Sequence, residues 1–168
     1  MSVTATTKLP TGIFAVDAAH STIEFRVTDS DLVSTIVGHF TDFEGTIELA
    51  ESLDDSRASG VIRTSSVDTH NEKRDEHLRS GDFFDASAYP EIRFDSTRIE
   101  QVGEDTFRIA GELSIKDFKH AIELETTLVG AGEDRFGNDR VAFESQASFS
   151  WGPADVQLTA HVSAIKDG

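Results

Sequence analysis

The sequence predicts an all-β protein, a closed antiparallel barrel of about eight strands with a short helix capping one end. Three observations carry that prediction. Apolar residues recur with period two along most of the chain, short turn-forming stretches separate the alternating runs, and one segment breaks the rhythm with helical spacing.

The first twelve residues are rich in Thr and carry Pro10 and Gly12, so residues 1–12 read as a flexible arm and 13–168 as a single domain. In "HSTIEFRVT", Ser21, Ile23, Phe25 and Val27 share one face of a strand, opposite His20, Thr22, Glu24, Arg26 and Thr28. "GTIELA" repeats the pattern with Ile47 and Leu49, and "EIRFDSTRI" opens with Ile92 and Phe94 on one side. "TFRIAGELSI" aligns Phe107, Ile109, Gly111, Leu113 and Ile115. "HAIELETTLVG" aligns Ile122, Leu124 and Leu128, and "VAFESQASFSW" aligns Val141, Phe143, Ala147, Phe149 and Trp151. The last strand, "DVQLTAHVSA", offers Val156, Leu158, Ala160 and Val162. Breaks fall at "VGEDT", "KDFK", "GAGEDRFGND" and "WGPAD", where Gly, Asp, Asn and Pro favour turns.

Strands with one wet face must bury the other, and a meander of this length does so by closing on itself. A two-sheet sandwich is the competing architecture. The interior of so small a barrel is either filled by side chains or just wide enough for one small ligand.

The exceptional segment is "THNEKRDEHLRSGDFF". Thr69 and Glu72 have capping-box spacing, Asp75 and Glu76 sit early, and His77 and Arg79 fall near the end where cations are favoured. Gly81 suits a left-handed stop. A helix of about ten residues is marginal alone, so it must dock, and Leu78, Phe83 and Phe84 are the nearest anchors.

Composition narrows the function. The chain has 31 acids against 15 bases and a net charge of −16, which repels phosphate backbones and anionic headgroups. Nucleic acid is therefore not an expected partner, nor is stable membrane anchoring. The absence of cysteine removes disulfides and thiolate chemistry. The N-terminal residues lack the pattern of a secretory signal and no apolar run is long enough to span a bilayer, so the expected location is the cytoplasm. The oligomeric state is open, a homodimer included.

Several groupings invite a catalytic reading. His20 and Ser21, with Asp17 nearby, resemble part of a triad, but neighbours on a strand point to opposite faces. His70 and His77 are seven apart with Arg74 between them, unlike a zinc pair. "GAGEDRFGNDR" lacks the spacing of a calcium loop and reads as a solvated turn. Arg74 and Asp75 form either an ion pair or, through Arg74 with His77, a contact for a polar headgroup. No constellation demands catalysis, so no catalytic residue, metal or cofactor is expected, and an enzyme acting on a lipid headgroup is the weaker alternative.

The stretches "VDAAHSTIEFRV", "GHFTDFEGTIEL", "SSVDTHNEKRDEHLRSGDFFDASAYPEIRFDST" and "GELSIKDFKHAIEL", in that order, resemble the YceI-like, polyisoprenoid-binding family. The resemblance implies a lipocalin-like barrel with an apolar tunnel for a polyisoprenoid chain or isoprenoid quinone, held as a carrier or storage protein holds its cargo. On that reading the ligand is a hydrophobic lipid. Phe25, Phe40, Phe94, Phe143 and Phe149 are the expected wall residues, with Phe83 and Phe84 in the cap. The C-terminal part departs from the family, since a tight Gly152-Pro153 turn stands where a longer connection is usual. A structural or stress-related acidic protein with a filled barrel is the alternative.

Overall fold

A computed structural model describes residues 9–29, 34–151 and 154–167. The strands are β1 (Gly12–Val16), β2 (Thr22–Asp29), β3 (Ser34–Phe40), β4 (Phe43–Leu49), β5 (Arg57–Arg63), β6 (Val67–Asp68), β7 (Glu91–Gln101), β8 (Thr106–Ile115), β9 (Phe118–Glu133), β10 (Asp139–Trp151) and β11 (Ala154–Lys166). Among the described residues one α-helix, α1 (Glu72–Arg79), lies between β6 and β7.

Eleven segments occupy eight positions around the barrel. β1 and β2 both pair with β11, β1 through Phe14↔Lys166 to Val16↔Ala164 and β2 through Ala154↔Asp29 to His161↔Thr22. β4 and β3 pair in turn with β1 and β2, and β5 and β6 with β4 and β3. Each couple is thus one long strand with a break. β7 to β11 then follow in sequence order, and the β1–β11 pairing closes an antiparallel barrel. The closed barrel with one short helix is the architecture that the alternation predicts.

The breaks have local causes. Asp17 caps a 3-10 turn at Ala18–His20, accepting from the Ala19 amide, and the Ser21 hydroxyl donates back to the Asp17 carbonyl at 2.7 Å. The second break, at Thr41 and Asp42, is bonded to the third at Thr64–Ser66. The Thr41 amide donates to the Ser66 carbonyl at 3.3 Å and the Arg63 amide to the Asp42 carbonyl at 2.9 Å. Register shifts at Ser96/Arg98 and Ala142/Phe143 add two bulges, which bend β7 and the β9–β10 pair.

The helical segment differs from its sequence reading in its bonds. Asn71 is the N-cap, accepting from the Arg74 amide at 3.1 Å. Thr69 is bonded to Asp75 instead of capping, because its own amide and hydroxyl both donate to Asp75 Oδ1, at 2.8 and 2.6 Å. Arg74 reaches the same residue, donating from Nε to Thr69 Oγ1 at 2.8 Å and from Nη2 to the Thr69 carbonyl at 2.7 Å. Arg74 and Asp75 therefore meet through Thr69 and not as an ion pair. Gly81 keeps an ordinary φ; the left-handed residue that ends the segment is Asp85, at φ 49°, whose amide donates to the Ser80 carbonyl.

Two clusters fill the barrel ends. At the α1 end, Phe25, Phe40, Val67, Leu78, Phe84, Ile92, Ile115 and Ala147 pack with Phe149 and Trp151. At the other end Phe14, Leu49, Phe107, Leu128, Val141 and Ala164 pack with Leu9 and Leu53. Leu9 thus packs on the barrel and Gly12 opens β1, while residues 1–8, most of the expected flexible arm, lie outside the described residues. Gly152 and Pro153 also lie outside them, and β10 and β11 pair up to Trp151 and Ala154 on either side.

Candidate ligand-binding cavity

Between the two clusters the barrel holds a cavity of about 200 Å³. Small inward residues make the room. β4 and β5 place Gly45 directly across from Gly60, with Ala58 one inward position further along, and β11 contributes Ala160. A Cβ built on Gly60 would meet only the Glu44 carbonyl, at 3.5 Å, so that position faces space. The remaining wall is apolar, from Ile23, Ile47, Ile62, Leu124, Leu158 and Val162. Phe43, Phe94, Phe107 and Phe143 supply its aromatic surface.

Two polar side chains face this space. Thr126 and Ser145 are cross-strand partners on β9 and β10, 3% and 8% exposed, with their hydroxyls 2.9 Å apart. Glu44 and Ser59 border the cavity too, but both are exposed residues on the outward face of their strands.

The structure divides the residues predicted from sequence. Phe94 and Phe143 line the cavity. Phe25, Phe40, Phe84 and Phe149 do not; they belong to the packed α1 end. Phe25 and Phe40 lie with ring centroids 5.2 Å apart, Phe40 and Phe84 5.9 Å, and Phe84 stacks on Trp151 at 5.4 Å. Phe149 packs against the His120 ring at 4.9 Å, and His120 Nε2 is buried with no hydrogen-bond partner.

Phe83 is not an anchor. It is 41% exposed and sits edge-on to His77, and Phe84 alone makes the inward contact. Arg74 is engaged by Thr69, and exposed His77 lies 3.2 Å from Asp82. Neither borders the cavity, whereas their spacing suggests a contact for a headgroup at its mouth. The reason is that the helix turns only Asp75 and Leu78 inward.

Sequence reasoning missed Phe43, Phe107, the Gly45–Gly60 pair and the Thr126–Ser145 pair. Phe107 was legible in its alternating run. The glycines were not, since alternation registers large apolar side chains and a cavity is made where they are missing.

At the far end, Arg140 ties three segments together. It donates to Asp134 at 2.6 Å, to Asp17 at 3.0 Å and to the Ser163 hydroxyl at 3.1 Å. The guanidinium holds the Asp134 carboxyl far below the ordinary carboxylate range, and it lowers Asp17 together with His20, 2.7 Å away. The Ser21 hydroxyl shares its one proton between the Asp17 and Ser163 carbonyls and accepts from the Ser163 amide, which ties it into the backbone of this end. Among the described residues no group of three or more His, Asp or Glu is placed to hold a metal ion, and no helix is long and apolar enough to cross a membrane.

The geometry is therefore an apolar chamber with one polar spot, and comparison with known proteins gives the same family as the motifs. The model of the YceI-like domain matches residues 14–164. The chain belongs to the YceI-like family. A UPF0312 protein of Vibrio campbellii is 36% identical over 164 residues, spanning 94% of this chain and 86% of that one. Protein YceI of Escherichia coli is 34% identical over 131 residues, 77% and 68% of the two chains. Among solved structures, Burkholderia cenocepacia BcnA superposes with a TM-score of 0.75 at 19% identity, covering 88% of this chain and 98% of its own. A polyisoprenoid-binding domain from Saccharophagus degradans superposes at 0.69 and 14% identity, covering 92% and 98%. At such identities the two structures show the family's barrel and no more.

Proposed function

We propose that the barrel binds and shields a hydrophobic, isoprenoid-type molecule, as a carrier or storage protein, and performs no chemistry on it. The observation that carries this reading is the apolar chamber at Gly45, Gly60 and Ala160, inside a fold whose ends are otherwise well packed. A family in which one structural neighbour is a polyisoprenoid-binding domain supports the same ligand class.

The energetics need little polar recognition. Each buried CH₂ contributes about 0.8 kcal/mol, so one prenyl unit gains roughly 3–4 kcal/mol before losses. A few units give useful affinity from shape and apolar surface. The chamber is smaller than the roughly 300–1,000 Å³ of common ligand pockets. The ligand is accordingly a short prenyl molecule, or a longer one of which the chamber holds only a part.

The test is native mass spectrometry of protein purified from its own host, with organic extraction of what dissociates. A stoichiometric prenyl lipid or quinone supports the reading. A clean unliganded mass, with no thermal shift on adding prenyl lipids, contradicts it and favours a structural barrel.

A further inference from the structure

Thr126 and Ser145 are anomalous in their surroundings. Buried hydroxyls are tolerated when bonded, and these two bond one another at 2.9 Å. Thr126 Oγ1 also lies 3.2 Å from the Leu124 carbonyl on its own strand. The pair carries two protons, and among the described residues its acceptors are the Leu124 carbonyl and the two hydroxyl oxygens themselves. In one arrangement Thr126 donates to Leu124 and Ser145 donates to Thr126, which leaves Ser145 with free lone pairs. In the other, Thr126 donates to Ser145, and the Ser145 proton is left for a partner in the chamber. Hydroxyl rotation alone interconverts them, so the pair offers the cavity either an acceptor or a donor.

Its position adds to its chemistry. Ala160 is opposite Ser145 in the β10–β11 register, so a small side chain stands beside the pair. Along β9, Ile122 and Leu124 lie on the α1 side of Thr126 and Leu128 on the other, which sets the polar spot between apolar stretches of wall.

The geometry points to Thr126 and Ser145 as the site that receives a single neutral oxygen of the ligand, a hydroxyl or a carbonyl, midway along the barrel. The inference rests on the binding function proposed above and narrows its ligand class to neutral, mono-oxygenated isoprenoids. A phosphate or diphosphate does not suit this point, because among the described residues no cationic side chain borders the chamber and a buried unpaired charge is costly. Such a ligand would have to keep its headgroup outside.

The experiment measures Kd for farnesol and for the hydrocarbon farnesene, in the wild-type chain and in the double variant T126V/S145A. Replacing both hydroxyls leaves no orphaned partner behind. The expected result is that farnesol binding weakens by about three- to tenfold in the variant, as loss of one hydrogen bond predicts, while farnesene binding changes less than about twofold. An equal change for both ligands overturns the inference and leaves the binding function intact. Failure of the wild-type chain to bind either ligand overturns both. A readout independent of the variant's folding is the infrared carbonyl stretch of geranylacetone bound to the wild-type protein. A band shifted down from its position in alkane supports the hydrogen bond, and an alkane-like band contradicts it.

Discussion

Gly38 and Gly60 are both glycines of this barrel wall, and they do opposite things. At Gly38 an added Cβ would lie 2.5 Å from the Phe25 ring and 2.7 Å from Thr69 Cγ2, so the neighbouring aromatic has taken the glycine's place. At Gly60 the same atom would meet only a carbonyl at 3.5 Å. The α1 end thus uses glycine to seat an aromatic plug, and the middle of the barrel uses glycine to leave space. Gly111 repeats the first device, since an added Cβ there would lie 2.5 Å from the Phe94 ring, and this ring also forms cavity wall. One residue type therefore marks both the filled and the hollow part, and where the neighbouring ring comes to lie decides which, since Phe94 is paired with Gly60 yet lays its ring against Gly111.

The largest effect should come from the plug. Phe84→Ala removes a ring that contacts Phe40 and Trp151 and should cost about 3–5 kcal/mol in urea denaturation. Phe83→Ala, at an exposed ring, should stay within about 1 kcal/mol. Equal losses would erase the distinction between the two phenylalanines. Next, Gly38→Val should destabilise by about 1–3 kcal/mol, because Phe25 must leave its rotamer or the sheet must shift. In Gly60→Leu the side chain enters the chamber and ordinary φ is kept, so stability should hold within about 1 kcal/mol while prenyl binding is lost. Comparable denaturation midpoints for Gly38→Val and Gly60→Leu would contradict the contrast.

The smallest effect is electrostatic and lies at the end away from α1. The native carboxyls of Asp134 and Asp17 ionise at lower pH than they do unfolded, so the unfolded chain binds more protons on acidification. Their contribution is complete above the ordinary carboxylate pKa near 3.9 and is lost as pH falls below it towards the depressed native values. Arg140→Gln should therefore destabilise most near pH 7, with the deficit shrinking as pH falls below about 4, so that the acid limb of the stability curve is flatter in the variant. Parallel curves for variant and wild type would show that the Arg140 bonds contribute nothing through ionisation.

Much of the fold was legible because β7 to β11 carry large apolar residues at most of their inward positions. "STIVGHF" and "RASGVIR", which form β3 and β5, were not read as strands, because their inward positions include Gly38, Ala58 and Gly60. In β5 that loss of signal is also where the cavity lies, so the hollow was hidden for the same physical reason. The phenylalanines named as wall were chosen by alternation or, for Phe40, by its place just before an alternating run, and neither signal separates Phe94 and Phe143, at the chamber, from Phe25, Phe40 and Phe149, in the plug. In the helical segment, spacing found the helix, but Thr69 had two partners within reach and chose buried Asp75, a tertiary outcome that local capping rules do not contain.

The central claim is that the chamber at Gly60 is a binding site and not a packing defect. Isothermal titration of farnesol into the wild-type and Gly60→Leu proteins tests it most directly. The account predicts one site in the wild-type chain and none in the variant, with both equally folded by circular dichroism. Equal binding by the two would place the ligand elsewhere and contradict it.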